Sequence, residues 1–331
     1  GQQAGHTVVH NGKKHVFSNF GSGTLQGNPT YWSEYCTFSP IGVLNEYNAL
    51  KEIKGLTPEL YVNPLSPVTT PFDRHFNCTT EKENNHGSCG VGVGATIQRQ
   101  EDYYKLFVQD IFHPVVLTRK LINIRSYYEK KGISTDNIDL GDFLYVIDKV
   151  KDIITLNNGD IMKGGGGLIF EGSQGVLLDQ DFGFFPNVTR SNTTSKNAFE
   201  LIKKHGLPCS NNNPINVFYI TRAYQTRHGN GYMTNENISA ELKLTNTEDE
   251  TNVTNEYQGE FRRAVLDLDL LKYALQCDSN FSSSARKNLV ITCIDQVGET
   301  IPVTMKDGEN NVLHHIPVNQ LHTYLGIDFD S

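Results

Sequence analysis

The sequence predicts an α/β fold: one large domain over residues 1–331, with a central, mostly parallel β-sheet flanked by helices. Three observations predict it. Short apolar runs bounded by glycine alternate with stretches of helical periodicity, the pattern of βα units. A chain of 331 residues is within reach of a single large α/β domain. Its 37% hydrophobic and 20% charged content supports a packed core and does not resemble a disordered chain.

Residues 7–60 mix short apolar runs with Gly and Pro, which predicts short strands and loops. A glycine-rich run, HGSCGVGVGATIQRQED, fills 86–102. Helical patterns follow at 103–113, 117–131 and 141–155. In the last of these, Phe143, Ile147, Val150 and Ile154 fall on one face. Lys163 and four glycines at 164–167 lead into Leu168, Ile169 and Phe170, a run too short for a helix and so a strand. Two more strands are predicted at 217–220 and 289–294. A helix at 196–205 has Ser195 as N-cap and Gly206 as its stop. Another, at 266–276, carries Leu268, Leu271 and Leu275. Residues 241–258, acidic and rich in Asn and Thr, read as a mobile surface loop.

The formal net charge of -8 argues against a nucleic-acid groove, which needs clustered Lys and Arg. It leaves room for phosphate sites built from backbone N–H groups. No apolar stretch reaches the roughly 18 residues of a membrane span. The first residues, GQQAGHTVVH, have neither the basic nor the apolar region of a signal peptide, and the chain reads as beginning inside a domain, with a segment upstream. Six scattered cysteines without a CxxC pair predict free thiols in a reducing compartment. Sequons such as Asn237-Ile238-Ser239 follow from composition and not from secretion.

Six constellations are candidates for chemistry. EGSQGVLLDQDFGFFPNVTRSNTT, residues 171–194, opens a strand end into a glycine-rich turn. The Gln174 amide both donates and accepts, which suits a purine edge. Thr189, Asn192, Thr193 and Thr194 precede a helix start, where hydroxyls and open N–H groups favour an anion. GSCGVGVG at 87–94 lets a backbone approach phosphate closely, though no Gly-Lys-Ser/Thr closes it. YQTRHGNG at 224–231 follows a strand, and Gly259-Glu260-Phe261-Arg262-Arg263 places two arginines where they could grip a carboxylate or phosphate. Ala4-Gly5-His6-Thr7 sets a histidine in a glycine loop, and Asp295 ends the strand LVITCID. Each alone also has an ordinary structural reading: a capped helix, a flexible loop, an exposed turn, a solvated basic pair.

Taken in order, these motifs resemble the adenylosuccinate synthetase family over most of the chain. EGSQGVLLDQDFGFFPNVTRSNTT resembles EGAQGxLLDxDxGxxPxVTSSNTT; QQAGHT resembles NAGHT; AYQTRHGNG resembles AYxTRVGxG; GSCGVGVGA resembles GTTGRGIGP; TCID resembles TKxD. The wording is closest to the bacteriophage branch, which takes dGMP. The resemblance implies a fold related to P-loop NTPases, a homodimer and a cytoplasmic enzyme, in the host cytoplasm if viral. It also implies a ligase: Mg²⁺ and a purine nucleoside triphosphate phosphorylate the purine 6-oxygen, and aspartate's amine displaces phosphate. It assigns His6 to the transferring phosphoryl, Gly5 to Mg²⁺ through its carbonyl, and Gln174 to the purine 6-position. Thr189, Ser88 and Cys89 go to the 5′-phosphate pocket, with Gln3 at the motif asparagine. Gly259, Arg262 and Arg263 fall in the loop that grips aspartate, and His228 lines the substrate cavity. Asp295 reads the triphosphate's base, Arg262 lies near that triphosphate, and Arg99 reaches across the dimer.

The departures are specific. The family's GDEGKG loop is expected upstream of Gly1 and its guanine-contacting segment after Ser331. Cys293 stands for the lysine that packs on guanine, Val91 for an arginine, and Glu260 and Phe261 for basic positions. These favour ATP or dATP over GTP, and dGMP as the monophosphate. An IMP- and GTP-using adenylosuccinate synthetase, or a nucleotide sensor without catalysis, are the alternatives. No nucleic acid or membrane partner is expected.

Overall fold

The computed structural model describes residues 2–3, 5–10, 12–53, 55–84, 90–209, 214–244 and 260–329. The chain divides into two compact units, residues 1–174 and 175–331. The α/β class is as expected. Among the described residues the strands are shared among five sheets of two or three strands.

Unit 1 opens with β1 (His6–His10) and β2 (Lys13–Phe17), an antiparallel hairpin. It continues with β3 (Thr30–Trp32), α1 (Pro40–Lys51), β4 (Leu60–Val62), α2 (Pro71–Asn84), α3 (Val93–Glu101), α4 (Pro114–Lys130), α5 (Gly141–Lys151) and β5 (Ile154–Leu156). β3, β4 and β5 form a parallel sheet. Ser39 caps α1 by accepting the Gly42 N–H at 3.2 Å, and Pro40 starts the helix where no N–H is needed. Glu46 on α1 is buried and accepts the N–H groups of Ser18, Asn19 and Phe20 at 3.2, 2.7 and 3.3 Å. That carboxylate fastens the end of β2, and with it the hairpin that carries His6.

The α5 face is as expected, with Phe143, Ile147 and Val150 buried in the core of unit 1 beside Phe38, Leu50 and Val62. The helix ends at Lys151, earlier than the predicted 155, and Ile154 is buried from β5 because its strand pairs with β4. The helix expected at 103–113 does not form. Tyr103 turns left-handed at φ 67°, ending the run of α3, and Phe107 bridges Pro67 before a short 3₁₀ turn at Val108–Phe112. The apolar groups there, Leu106, Val108 and Ile111, are buried without helical spacing. The strand expected at 168–170 makes no ladder among the described residues. It follows left-handed Gly165 and Gly166, and Ile169 is 87% exposed.

Unit 2 holds α6 (Lys196–His205), β6 (Asn216–Arg222), β7 (Gln225–His228), β8 (Phe261–Ala264), β9 (Leu266–Asp267), α7 (Leu268–Ser282), β10 (Arg286–Thr292), β11 (Thr300–Asp307) and β12 (Asn310–Pro317). β6 and β10 pair in parallel, as do β9 and β11; β7–β8 and β11–β12 are antiparallel. Ala223, Leu268, Ile301, Val303 and Leu321 are the fully buried centre of its core. Gly206 ends α6 in the left-handed region at φ 58°, as expected. Ser195 does not cap that helix with its side chain. Asp278 on α7 does the work instead, accepting the Ser195 N–H at 2.6 Å while Tyr219 OH donates to its other oxygen at 2.7 Å. α7 runs six residues past the predicted end, to Ser282, with Asp267 as its N-cap accepting the Asp269 and Leu270 N–H groups at 3.0 and 3.1 Å. The described cysteines are free thiols. No helix among the described residues is long and apolar enough to cross a membrane.

Candidate active site

In unit 1 two motifs far apart in sequence meet. His6, the first residue of β1, approaches Glu171 Oε2 through Nδ1 at 3.0 Å and the Gly172 carbonyl through Nε2 at 3.1 Å. Both partners are acceptors, so the geometry favours the protonated imidazole, which donates from both ring nitrogens. Glu171 raises the His6 pKa above its ordinary value of 6.5 against an opposing effect of burial. In turn, hydrogen bonding from His6 holds the Glu171 carboxyl below its ordinary 4.5, helped by donors from Ser22. The Ser22 N–H donates to Glu171 Oε1 at 3.0 Å, and its hydroxyl donates to the same oxygen.

The His6 contribution to stability is full below pH 6.5 and is lost as pH rises through its raised value. The Glu171 contribution is present above 4.5 and is lost as pH falls through its lowered one. Both contributions are therefore full between pH 4.5 and 6.5, and the pair itself persists below 4.5 and above 6.5. Glu171→Gln should return the His6 titration towards 6.5, read from its ring protons by NMR. An unchanged midpoint would show that Glu171 does not hold the charge.

Three residues beyond Glu171, Gln174 is exposed and sits at φ 63°, a left-handed conformation that costs a glutamine about 1 kcal/mol or more. Backbone strain of this kind concentrates at functional sites. Gly5, next to His6 in the chain, is exposed. Among the described residues no three His, Cys, Asp or Glu side chains gather as a metal site. One backbone oxygen suits Mg²⁺, which takes most of its ligands from phosphate and water. Gln3 is half-buried, while its neighbour Gln2 donates to Thr37 and Thr69 hydroxyls at 3.0 and 2.7 Å. Ser88, Cys89 and Gly259 lie outside the described residues, as does most of the loop expected at 241–258.

Arg99 needs a correction. Its side chain is 0% exposed, and it donates to both oxygens of Asp73, at 2.7 and 3.2 Å, and to the Val68 carbonyl at 2.8 Å. A guanidinium fastened this way inside unit 1 cannot reach across a dimer. It ties α3 to α2 instead.

In unit 2, Thr189 is buried, and its N–H donates to the Leu178 carbonyl at 2.8 Å. Two of the N–H groups before α6 are taken by carboxylates. Asp179 takes that of Thr193 at 2.5 Å, and Asp278 takes that of Ser195. These carboxylates shape the turn and supply its negative charge internally. Asp295 is exposed on a short turn after left-handed Cys293 and accepts from Gln296 Nε2 at 2.6 Å. Cys293 itself packs against the core of unit 2.

Arg262 and Arg263 do not form one clamp. Neighbours on a strand point to opposite faces, and β8 lies antiparallel to β7 with Arg262 opposite Arg227 and Arg263 opposite Thr226. Arg262 donates to Glu236 Oε1 and to the Gly231 carbonyl, both at 2.7 Å. Arg263 stacks on Phe261, 4.7 Å from its centroid, and the His228 ring lies 4.6 Å from the same residue. Three residues with clear settings here, Glu171, Glu236 and Phe261, are not among the sequence candidates. Glu171 and Phe261 stand inside quoted motifs, and only their partners were unreadable.

The sequence profile of the family described as adenylosuccinate synthetase matches residues 1–323. An adenylosuccinate synthetase of Mannheimia succiniciproducens is 31% identical over 255 residues, which cover 71% of this chain and 57% of that protein. The chain thus matches little more than half the length of such relatives. Among solved structures, the fully ligated adenylosuccinate synthetase of Plasmodium falciparum superposes with a TM-score of 0.70 at 18% identity, over 96% of this chain and 79% of that one. The succinoaminodeoxyadenylate synthetase (PurZ) of cyanophage S-2L, bound to dGMP and to dATP as an energy donor, gives 0.52 at 16% identity, over 98% and 88%. At these identities the two structures speak for the fold.

Proposed function

Because this chain belongs to the adenylosuccinate synthetase family, we propose that the full-length protein joins a purine nucleoside monophosphate to L-aspartate at the expense of a nucleoside triphosphate. The observation that carries this reading is the docking of His6 onto Glu171 and Gly172, three and two residues before Gln174. It ties the histidine of one motif to the segment that carries the glutamine of another.

The chemistry proposed is that of the family. The γ-phosphoryl moves to the 6-oxygen. The aspartate amine then attacks C6, the C6–O bond breaks, and phosphate leaves carrying that oxygen. His6 keeps its bond to Glu171 and exchanges the Gly172 carbonyl for a phosphoryl oxygen, since a charged acceptor makes the stronger bond. Preorganised cationic donors of this kind are usually the largest contribution in phosphoryl transfer. Gln174 donates its amide to the 6-oxygen. Gly5 offers Mg²⁺ one carbonyl, and the ion would neutralise triphosphate charge when bound. The family resemblance assigns Thr189, Ser88 and Cys89 to the 5′-phosphate, and Gln3 and His228 to the monophosphate.

The finer reading is a dGMP–aspartate ligase using ATP or dATP. Its support is Cys293 in place of the lysine expected under guanine. Asp295 then reads the donor's base. The second reading, IMP with GTP, is favoured by the bacterial relatives' name. Ratios of kcat/KM for dGMP and IMP, each with ATP and with GTP, separate the two. A preference for dGMP and ATP is expected, and a preference for IMP and GTP replaces it with the second. A homodimer is part of the proposal, with no role for Arg99 across it.

A further inference from the structure

Unit 2 holds a cavity of about 470 Å³, lined by residues 232–238 and by Thr304, Asn311 and Leu313 of the β11–β12 hairpin. That volume is in the range of small-molecule sites. None of the lining residues is assigned to the ligase reaction.

The polar centre of the cavity is Asn235, which is 8% exposed. It stands left-handed at φ 63°, a conformation that asparagine tolerates better than most residues. Its amide nitrogen is spent twice, donating to the Val265 carbonyl at 2.9 Å and to the Thr304 hydroxyl oxygen at 2.7 Å. Those two bonds fix the amide plane, and with it the direction of the carbonyl oxygen. Among the described residues nothing donates to that oxygen, Oδ1. Nor is Oδ1 among the unpaired atoms sealed away from solvent, so it opens on the cavity. An amide oxygen has two lone pairs, and both ask for a donor.

The rest of the lining narrows the class of donor. Met233, Ile238 and Leu313 are apolar, and no Lys, Arg or His lines the cavity. Nothing there would offset the cost of drying a phosphate. The one carboxylate, Glu236, already has a cation, Arg262, at 2.7 Å. The surroundings therefore favour an uncharged molecule with an N–H donor and an apolar body. Tyr232 adds a flat surface: it is 62% exposed, and its ring stands edge-on to Phe184 at 5.5 Å. A base can stack on such a ring whatever its sequence of edge groups.

We propose that this cavity is a second ligand site, for a nucleobase with an exocyclic amine, carried as the free base or the nucleoside. The amine donates to Asn235 Oδ1 and the ring lies on Tyr232.

The test is calorimetric titration of the full-length protein with adenine and, separately, with adenosine. The arm that binds more tightly names the source of the base. N6,N6-dimethyladenosine keeps the ring and loses the amine N–H groups, and it should bind about 10-fold more weakly or worse. Tyr232→Ala removes the stacking surface and should raise Kd by about 10-fold or more. Asn235→Gly keeps the left-handed turn, loses the acceptor, and should weaken binding by about 5-fold. Should Asn235→Gly fold poorly, Tyr232→Ala and the dimethylated probe decide. The proposal is overturned if the parent binds neither adenine nor adenosine, if the dimethylated probe binds as tightly as adenosine, or if Tyr232→Ala binds as the parent does. Nucleoside bound at the catalytic centre would give that last result. None of these readings requires turnover, so the site stands or falls apart from the ligase reading.

Discussion

Replacing Gln174 by glycine should cut turnover by about 10²–10³-fold, the usual cost of removing one preorganised donor. The same change should leave the fold within about 1 kcal/mol of the parent, because two small effects oppose each other. Glycine loses more chain entropy on folding, but it adopts φ 63° without the strain a glutamine carries there. The residue is exposed, so no cavity is left behind. Turnover and a denaturant midpoint measured on one preparation give both numbers. A Gln174→Gly protein within about 3-fold of parental turnover would remove the amide from the chemistry, since a lost donor costs far more.

The largest expected loss of stability is at Arg99. Asp73 is buried and accepts from Arg99, from Tyr128 OH at 2.7 Å, and from the Thr70 N–H and hydroxyl at 2.7 and 2.8 Å. Burial first, then Asp73, pushes the Tyr128 hydroxyl pKa far up, so it stays a donor. Arg99→Met leaves the Asp73 charge without its cation and strips the Val68 and Tyr104 carbonyls of a donor. Breaking a buried pair from one side costs about 3–5 kcal/mol. The paired change of Asp73→Leu with Arg99→Met should recover little of it, because it removes the stranded charge but leaves the Tyr128 and Thr70 donors and the Val68 and Tyr104 carbonyls unpaired. Urea unfolding measures both. A loss below about 1 kcal/mol for Arg99→Met would mean that water reaches the pair, as at a surface ion pair.

These two cases show what the sequence could reveal. Helices with long periodic faces were legible: α5 through Phe143, Ile147 and Val150, and α6 through its glycine stop. So were β6 and β10, as short apolar runs. Other signals were present but not used. Ser39-Pro40 opens α1 as a helix start, and Gly308-Glu309 between β11 and β12 is a two-residue hairpin turn, with Gly308 at φ 63°. Assigning β8 as a strand would have separated Arg262 from Arg263 by simple alternation. What stayed hidden depends on docking. His6 and Glu171 are 165 positions apart, and Asp73 and Arg99 meet only because α2 and α3 pack together. No local pattern announces which acid a distant base will find.

The most direct test of the account follows the oxygen. The full-length protein is given dGMP labelled with ¹⁸O at the 6-position, ATP and L-aspartate, and the released phosphate is examined by mass spectrometry. The account predicts one ¹⁸O in each phosphate, matched by an equal amount of succinylated nucleotide. Phosphate without the label, or label kept in the nucleotide, would contradict it.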